Sequence, residues 1–202
     1  MHFQSARDLR QRYPAATQRV RDKELDHIDA HMARFIALSP LVVLASTDAG
    51  FQLDASPRGG APGFVRQADA QTLLIPDFPG NNRLDSLTNI VETAHVGLLF
   101  MIPGVDEMLR INGQAQVSDE PAWLAHFSEG PRLPRTVVRV QVQRAYLHCA
   151  KAIMRARLWS PDSQVDRAVL PTMGEMIKDH AGLQGPAETQ EEMLRRYAPD
   201  IE

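Results

Sequence analysis

The sequence predicts an α+β fold in which about six antiparallel strands form a closed or partly closed β-barrel with helices at its periphery. Short β-rich runs separated by turn residues occupy the middle of the chain, and helical periodicity marks both ends. One helix is inserted between the third and fourth predicted strands. Parallel βαβ units would need a helix after nearly every strand, so the strands are expected to be antiparallel.

The size of the chain is consistent with one domain. It has 202 residues, of which 44% are hydrophobic, enough to bury one full core. We expect a helical segment over residues 1–40 packed on the barrel, the barrel itself over residues 41–159, and a helical extension over residues 160–202.

Charge and composition exclude several classes of partner. The formal net charge of −3 gives no broad positive field for nucleic acid. The strongly apolar runs at 41–45 and 96–102 are far shorter than the roughly 20 residues that span a bilayer. The polar N-terminus does not resemble a secretory signal, and the single cysteine, Cys149, excludes an intrachain disulfide. A cytoplasmic protein is therefore predicted.

The N-terminal part is predicted to be helical because apolar residues recur on one helical face before Pro40 ends the helix. That face consists of Leu25, Ile28, Met32, Phe35 and Ile36. Asp29 lies near its edge. Strands over residues 41–47 and 51–56 then form a hairpin around the turn at residues 48–50.

A third strand over residues 71–75 leads into a loop rich in proline, glycine and asparagine. A helix over residues 83–93 follows, and strands over residues 95–102 and 108–117 come next. The apolar face of that helix is Leu84, Leu87, Ile90 and Val91. Gly113 predicts a bulge or a close backbone approach in its strand.

The remaining elements are one strand and several helices. Residues 136–147 alternate apolar and polar side chains as a half-buried strand does. Helices are predicted over residues 120–127, 150–159, 172–180 and 188–197.

The loop over residues 76–82 ends where a helix is predicted to begin. Asn82, with Asp85 three positions later, predicts an N-cap. Arg83 then lies in the first helical turn, where a cation opposes the helix dipole unless an anion is bound there. Backbone N–H groups, asparagine donors and a guanidinium suit a phosphate. The alternative is a capped helix after a rigid turn.

A second candidate segment, residues 54–63, contains three glycines and two prolines where a strand ends. Such a segment lets a planar ligand approach the backbone, with Ser56 and Arg58 as donors beside it. The alternative is a hairpin loop with a solvated arginine. Because consecutive strands usually pair, the two segments are expected to be neighbours.

Short motifs connect these segments in a specific order. They are DASPRG at 54–59, IPDFPGNNR at 75–83 followed by DSLTNI at 85–90, LLFMIPG at 98–104 and LRINGQA at 109–115. Together they resemble the FMN-binding branch of the pyridoxamine 5′-phosphate oxidase-like superfamily, and the resemblance extends over residues 41–159. It implies a split β-barrel that forms a homodimer with FMN at the subunit interface.

The resemblance also implies roles for individual residues. Ser56 and Arg58 match the strand that lines the isoalloxazine and ribityl chain. The phosphate-binding turn is matched by Asn81, Asn82 and Arg83. Asp77 either orients Arg83, accepts a hydrogen bond from a ribityl hydroxyl, or only fixes the turn through its own backbone.

One cation of the family pattern is missing from this turn. Pyridoxamine 5′-phosphate oxidases usually carry an Arg-Lys pair there, whereas this chain has Asn82-Arg83. Either the affinity is weaker or another residue supplies the second charge, and Lys151 and Arg155 are the candidates for it. Arg110 is interpreted as a solvent-facing strand arginine, with a contact to flavin across the dimer as the alternative.

The function implied is that of an FMN-dependent oxidoreductase acting on an unidentified small molecule, with NADH or NADPH as candidate electron donors. No catalytic side chain is assigned, because the flavin performs the redox chemistry. The alternative is a module that binds or stores FMN, haem or a deazaflavin, with His95 or His148 as the axial ligand of a haem. No metal site is predicted, since His148 and Cys149 point to opposite faces of a strand.

Overall fold

The computed structural model describes residues 2–130 and 132–201. In this part of the chain seven strands form one antiparallel sheet, so the predicted α+β class and antiparallel arrangement are confirmed. The strands are β1 (Leu41–Thr47), β2 (Leu53–Gly59), β3 (Arg66–Asp69), β4 (Thr72–Asp77), β5 (His95–Met101), β6 (Met108–Ser118) and β7 (Thr136–His148).

The sheet curves so that its two ends approach each other. Its strand order is β2-β1-β5-β6-β7-β4-β3, which places four strands between β2 and β4. Arg58 of β2 nevertheless lies 2.6 Å from Asp77 of β4. The two candidate segments are therefore neighbours, as expected, but through the curvature of the barrel. The expectation that their strands pair directly was wrong.

The sequence predicted six of the seven strands, and the one that it did not predict is β3. Its residues Arg66–Asp69 include no β-branched or aromatic side chain, and most of them are exposed. It lies at the sheet edge and pairs only with β4. Pairing with a neighbour, not intrinsic propensity, makes this segment a strand.

The position of β2 also differs from the predicted 51–56. Phe51 adopts a left-handed conformation with φ of 64°, and the Asp48 carboxylate accepts a hydrogen bond from the N–H of Gln52 at 2.8 Å. The turn is therefore longer, and β2 begins at Leu53. It continues through Pro57, which an edge strand tolerates because one side needs no N–H donor.

Helices surround the sheet. They are α1 (Ala6–Arg10), α2 (Gln18–Asp22), α3 (Ala30–Leu38), α4 (Asp85–Thr93), α5 (Pro121–Leu124), α6 (Lys151–Ala156), α7 (Met173–Ala181) and α8 (Gln190–Ile201). The C-terminal helices lie close to their predicted positions. No helix within residues 2–130 and 132–201 combines the length and apolar character needed to cross a membrane.

The N-terminal apolar face packs against the barrel, but only part of it is helical. Ile28 and Met32 are buried, and Leu25 pairs with Ala145 of β7 through two backbone hydrogen bonds of 3.0 and 2.7 Å. Asp29, predicted at the edge of the face, is the N-cap of α3 and accepts a hydrogen bond from the N–H of Met32. The segment before Asp29 is therefore not helical at Leu25, where it pairs with β7 through backbone hydrogen bonds.

Gly113 marks a bulge, as predicted. The register between β6 and β7 shifts at Asn112 and Gly113. A Cβ atom on Gly113 would lie 2.1 Å from the carbonyl oxygen of Gln141. Only glycine allows the two backbones to come this close.

The C-terminal end of α8 is attached to the barrel through Arg132. Its guanidinium donates to the carbonyl oxygen of Asp200 at 2.6 Å, and it also lies 5.1 Å from the ring centroid of Phe78. A cation at a helix C-terminus is favoured by the helix dipole. The C-terminal extension is thereby tied to the loop that follows β4.

A candidate cofactor-binding cavity

A cavity of about 600 Å³ opens where β2, the loop after β4, the start of α4 and the start of β7 meet. Its lining consists of residues 54–58, 77–87, 135 and 136. Both segments selected from the sequence contribute to it. The cavity therefore unites Ser56, Arg58 and Asp77 with the loop residues Asn81, Asn82 and Arg83.

An ion pair joins the two sides of the cavity. Arg58 Nη1 donates to Asp77 Oδ1 at 2.6 Å, and the two side chains are only 24% and 14% exposed. The prediction that Asp77 orients Arg83 was wrong, because the carboxylate of Asp77 binds Arg58. Its carbonyl oxygen also accepts a hydrogen bond from the N–H of Arg135 at 2.9 Å, which fixes the loop backbone.

Two buried side-chain atoms at this cavity, one of them in Arg58 itself, have no hydrogen-bond partner among the described residues. They are Arg58 Nε and Thr136 Oγ1, and both residues line the cavity. A buried donor without a partner costs about 1 to 3 kcal/mol. The cavity therefore has unused hydrogen-bonding capacity that an oxygen-rich ligand, with modest side-chain movement, can satisfy.

The start of α4 differs from the predicted capped helix. Asn82 and Leu84 are both left-handed, with φ of 58° and 59°, and the helix begins at Asp85 with no side-chain cap. Asn82 as N-cap was therefore wrong. Left-handed non-glycine residues cost free energy and often occur at functional sites. The first turn of this nine-residue helix lies in the cavity lining.

Arg83 precedes the helix and forms an ion pair with Asp85, with 2.6 Å between Nε and Oδ2. This hydrogen bond raises the pKa of the Arg83 guanidinium above its ordinary value. The side chain is 78% exposed, so it remains available to a ligand. Contrary to the prediction, Arg83 does not require an external anion, because Asp85 already provides a negative charge.

The helix face that packs on the sheet is partly polar. The hydroxyl of Ser86 donates to the carboxylate of Asp54, and the side-chain amide of Asn89 donates to Ser46 Oγ at 3.1 Å. Of the predicted apolar face, Leu87 and Ile90 pack on the core, whereas Leu84 and Val91 are 53% and 74% exposed. Hydrogen bonds to β1 and β2 therefore turn Ser86 and Asn89 toward the sheet. Apolar periodicity does not reveal such bonds.

Arg135 is a cavity residue that the sequence analysis missed. It immediately precedes β7 and lies in the lining together with Thr136. Its signal in the sequence was weak, because it stands in a loop without a motif. Arg58 and Arg135 line the cavity in addition to Arg83, but Arg58 is paired with Asp77 and Arg83 with Asp85. Arg135 is therefore a further candidate for the second charge.

Lys151 and Arg155, the predicted suppliers of that charge, do not line the cavity of a single chain. Both lie on α6 beyond the end of β7 and are exposed. Their contribution to the cofactor site stays a prediction. Arg110 is exposed on β6, with its guanidinium 5.9 Å from the ring centroid of Tyr146.

The described residues contain no group of three or more His, Cys, Asp or Glu side chains that could hold a metal ion. His95 is exposed at the start of β5, and His148 is half-buried at the end of β7. Neither residue lines the cavity.

The fold and the cavity define a class of protein: a split β-barrel with a cavity between the ends of its curved sheet, lined by three arginines, three aspartates and several apolar residues. The family model described as pyridoxamine 5′-phosphate oxidase matches residues 28–149, more than half of the chain. The chain belongs to this family.

The fold is also that of a solved structure. HupZ of Group A Streptococcus is 19% identical, with a TM-score of 0.50, and the match covers 59% of this chain and 93% of that chain. An FMN-binding protein of Syntrophomonas wolfei is 11% identical over 58% of this chain and 84% of that chain, with a TM-score of 0.45.

HutZ, the heme storage protein of Vibrio cholerae, is 14% identical over 57% of this chain and 89% of that chain, with a TM-score of 0.40. No curated protein matches the chain.

Proposed function

We propose that this protein binds FMN in the cavity and acts as an FMN-dependent oxidoreductase on a small molecule, as a homodimer. The observation that carries the proposal is the convergence of three arginines on one cavity of about 600 Å³, where Arg58 Nε and Thr136 Oγ1 are buried without a hydrogen-bond partner among the described residues. Such a volume is typical of cofactor sites. Arginines supply the charge-assisted hydrogen bonds that a phosphate requires.

Different residues of the cavity would contact different parts of FMN. Arg83 and Arg58, with Asn81 and Asn82 of the loop, would hold a phosphate between β2 and the start of α4. Ser56 and Thr136 would donate to the oxygens of the ribityl chain or the ring. When bound, FMN would supply the electron transfer, and the protein would contribute position and electrostatics.

An exposed apolar sheet face beside the cavity supports a homodimer. Alternate residues of β1 and β5 are buried in the core, and alternate residues of β2 line the cavity, whereas the residues between them are exposed or half-buried. The outward residues are Val43, Ala45, Leu53, Ala55, Pro57 and Leu99. A continuous apolar face of this kind marks an interface. Because β2 belongs to both the face and the cavity wall, a second copy seated there would close the open side of the cavity.

The first test is the absorption spectrum of the purified protein, followed by titration with FMN. We expect flavin absorbance, or a saturable change in flavin fluorescence when FMN is added to protein purified without it. A Soret band without flavin absorbance would contradict the proposal and favour a haem-binding module.

If flavin is bound, anaerobic mixing with NADH or NADPH tests turnover. We expect the visible absorbance of oxidised flavin to bleach and to return when air is admitted. A flavin that dithionite reduces but neither nicotinamide does would favour the binding or storage module, or an electron donor of another class.

Replacing Ala45 with glutamate tests the dimer. The change places a charge in the middle of the apolar face, so we expect a dimer of the wild-type chain to dissociate to monomers in sedimentation velocity. Val169→Glu, at an exposed apolar position on the C-terminal extension, is the control and is expected to leave the dimer intact. A wild-type monomer that retains FMN would contradict the shared-site arrangement.

Replacing Arg83 with alanine is expected to weaken FMN binding about tenfold with the fold retained, as expected for loss of one solvent-exposed, charge-assisted hydrogen bond. Riboflavin, which lacks the phosphate, should bind both forms equally. A parallel loss of riboflavin binding would assign Arg83 to the ring or the ribityl chain instead.

A further inference from the structure

We infer that Asp77 is an internal counter-anion of the cavity: its carboxylate occupies Arg58 until the phosphate of a ligand takes its place. This inference rests on the proposed function, because it concerns the same cavity. It gives Asp77 the role of a residue that tunes anion affinity, which differs from each of the roles its sequence position suggested.

The first support is the geometry of the pair. The Arg58–Asp77 contact of 2.6 Å links strands from opposite ends of the curved sheet, and both side chains are largely buried. Burial reduces screening, so this pair is stronger than the exposed pairs on the surface. The Asp77 backbone is held independently by register pairing with Thr136 and by the N–H of Arg135. The carboxylate can therefore turn away without unfolding its strand.

The second support is that the pair leaves Arg58 incompletely satisfied. One N–H of its guanidinium donates to Asp77, while Nε is buried without a partner in the described part of the chain. A guanidinium has five donors, and a phosphate offers more oxygens in a bidentate arrangement than one carboxylate oxygen does. If a phosphate replaced the Asp77 carboxylate as the partner of Arg58, the guanidinium would form more hydrogen bonds.

The third support is the charge balance of the cavity. Its lining contains three arginines and three aspartates: Arg58, Arg83, Arg135, Asp54, Asp77 and Asp85. Asp54 accepts from Ser86, and Asp85 pairs with the exposed Arg83. Asp77 is the carboxylate that neutralises the buried arginine. An arriving anion must compete with it, so removing its charge should strengthen anion binding.

The experiment compares wild type with Asp77→Asn, measuring binding of FMN, riboflavin and inorganic phosphate by calorimetry and flavin fluorescence. Asparagine preserves the size of the side chain and still accepts a hydrogen bond. We expect FMN and phosphate to bind about tenfold more tightly, the size of one charge-assisted hydrogen bond. Riboflavin binding should be unchanged.

The control is Asp162→Asn, which removes the carboxylate of the exposed Arg157–Asp162 pair, 2.8 Å long and remote in sequence from the cavity lining. Its affinities should equal those of wild type. Asp77→Ser is a second neutral variant in case the asparagine variant is poorly folded, and it should tighten FMN binding in the same direction.

The outcomes separate this inference from the proposed function. Weaker or unchanged FMN binding by a folded Asp77→Asn protein would overturn the inference alone, because Asp77 would then hold Arg58 in place for the ligand. Tighter riboflavin binding would also overturn it, since the effect would not involve the phosphate. If wild type binds neither FMN nor phosphate, the proposed function fails first and this inference fails with it.

Discussion

Arg58→Ala should weaken FMN binding about hundredfold, or about 3 kcal/mol, the largest loss expected from a single change in the cavity. The guanidinium is mostly buried, so its bonds to a ligand are less screened than those of the exposed Arg83. The change also leaves the Asp77 carboxylate, 14% exposed, without its cation. Calorimetric titration with FMN measures the effect.

Two further variants separate these contributions. Arg58→Ala combined with Asp77→Asn should recover stability, because no buried charge is then unpaired, but it should not recover FMN affinity. Arg66→Ala on β3 is the matched control, an exposed strand arginine outside the cavity lining. If Arg58→Ala binds FMN as tightly as wild type does, the anion site lies elsewhere in the chain.

Gly113→Ala is expected to destabilise the fold by about 3 kcal/mol or more. The added Cβ would lie 2.1 Å from the carbonyl oxygen of Gln141 and 3.0 Å from its carbonyl carbon. Both atoms belong to the backbone of β7, so no side-chain rotation can relieve the clash. The β6–β7 pair, at the centre of the sheet, would have to separate. Urea unfolding followed by circular dichroism measures the loss.

Gly59→Ala provides the control for this prediction. Gly59 also lies in a strand, but a Cβ there would be 3.5 Å from the carbonyl oxygen of Pro40, an ordinary contact. Its unfolding midpoint should stay close to that of wild type. Equal midpoints for the two variants would mean that the bulge at Gly113 adapts by a local shift.

The sequence by itself determined the elements whose signals are local. Strands β1, β5 and β7 were predicted within two residues of their ends, because alternating or continuous apolar side chains reflect burial against one core. The close approach at Gly113 was predicted because a glycine inside a strand often marks a bulge or a site where another backbone comes close. The loop over residues 76–82 was selected from its composition and lines the cavity, while its role in binding phosphate stays a prediction. The family was predicted from the order of the motifs.

Other features depended on the tertiary structure because their partners are distant in the chain. The Arg58–Asp77 pair forms only when the sheet curves and brings its two ends together. Arg135 enters the cavity because β7 lies beside β4, and no local pattern encodes that pairing. The orientation of α4 follows from hydrogen bonds to β1 and β2, not from its apolar periodicity.

The loop with the strongest motif is therefore only one wall of the site. Local sequence specified the apolar strands and the close approach at Gly113, whereas the cap and the buried face of α4 differed from what neighbouring residues predicted. The charge of the cavity is instead a sum over residues from four parts of the chain, including one aspartate that opposes an arginine across the barrel opening. Such a sum exists only after folding, because the Coulomb energy depends on distances that the fold creates.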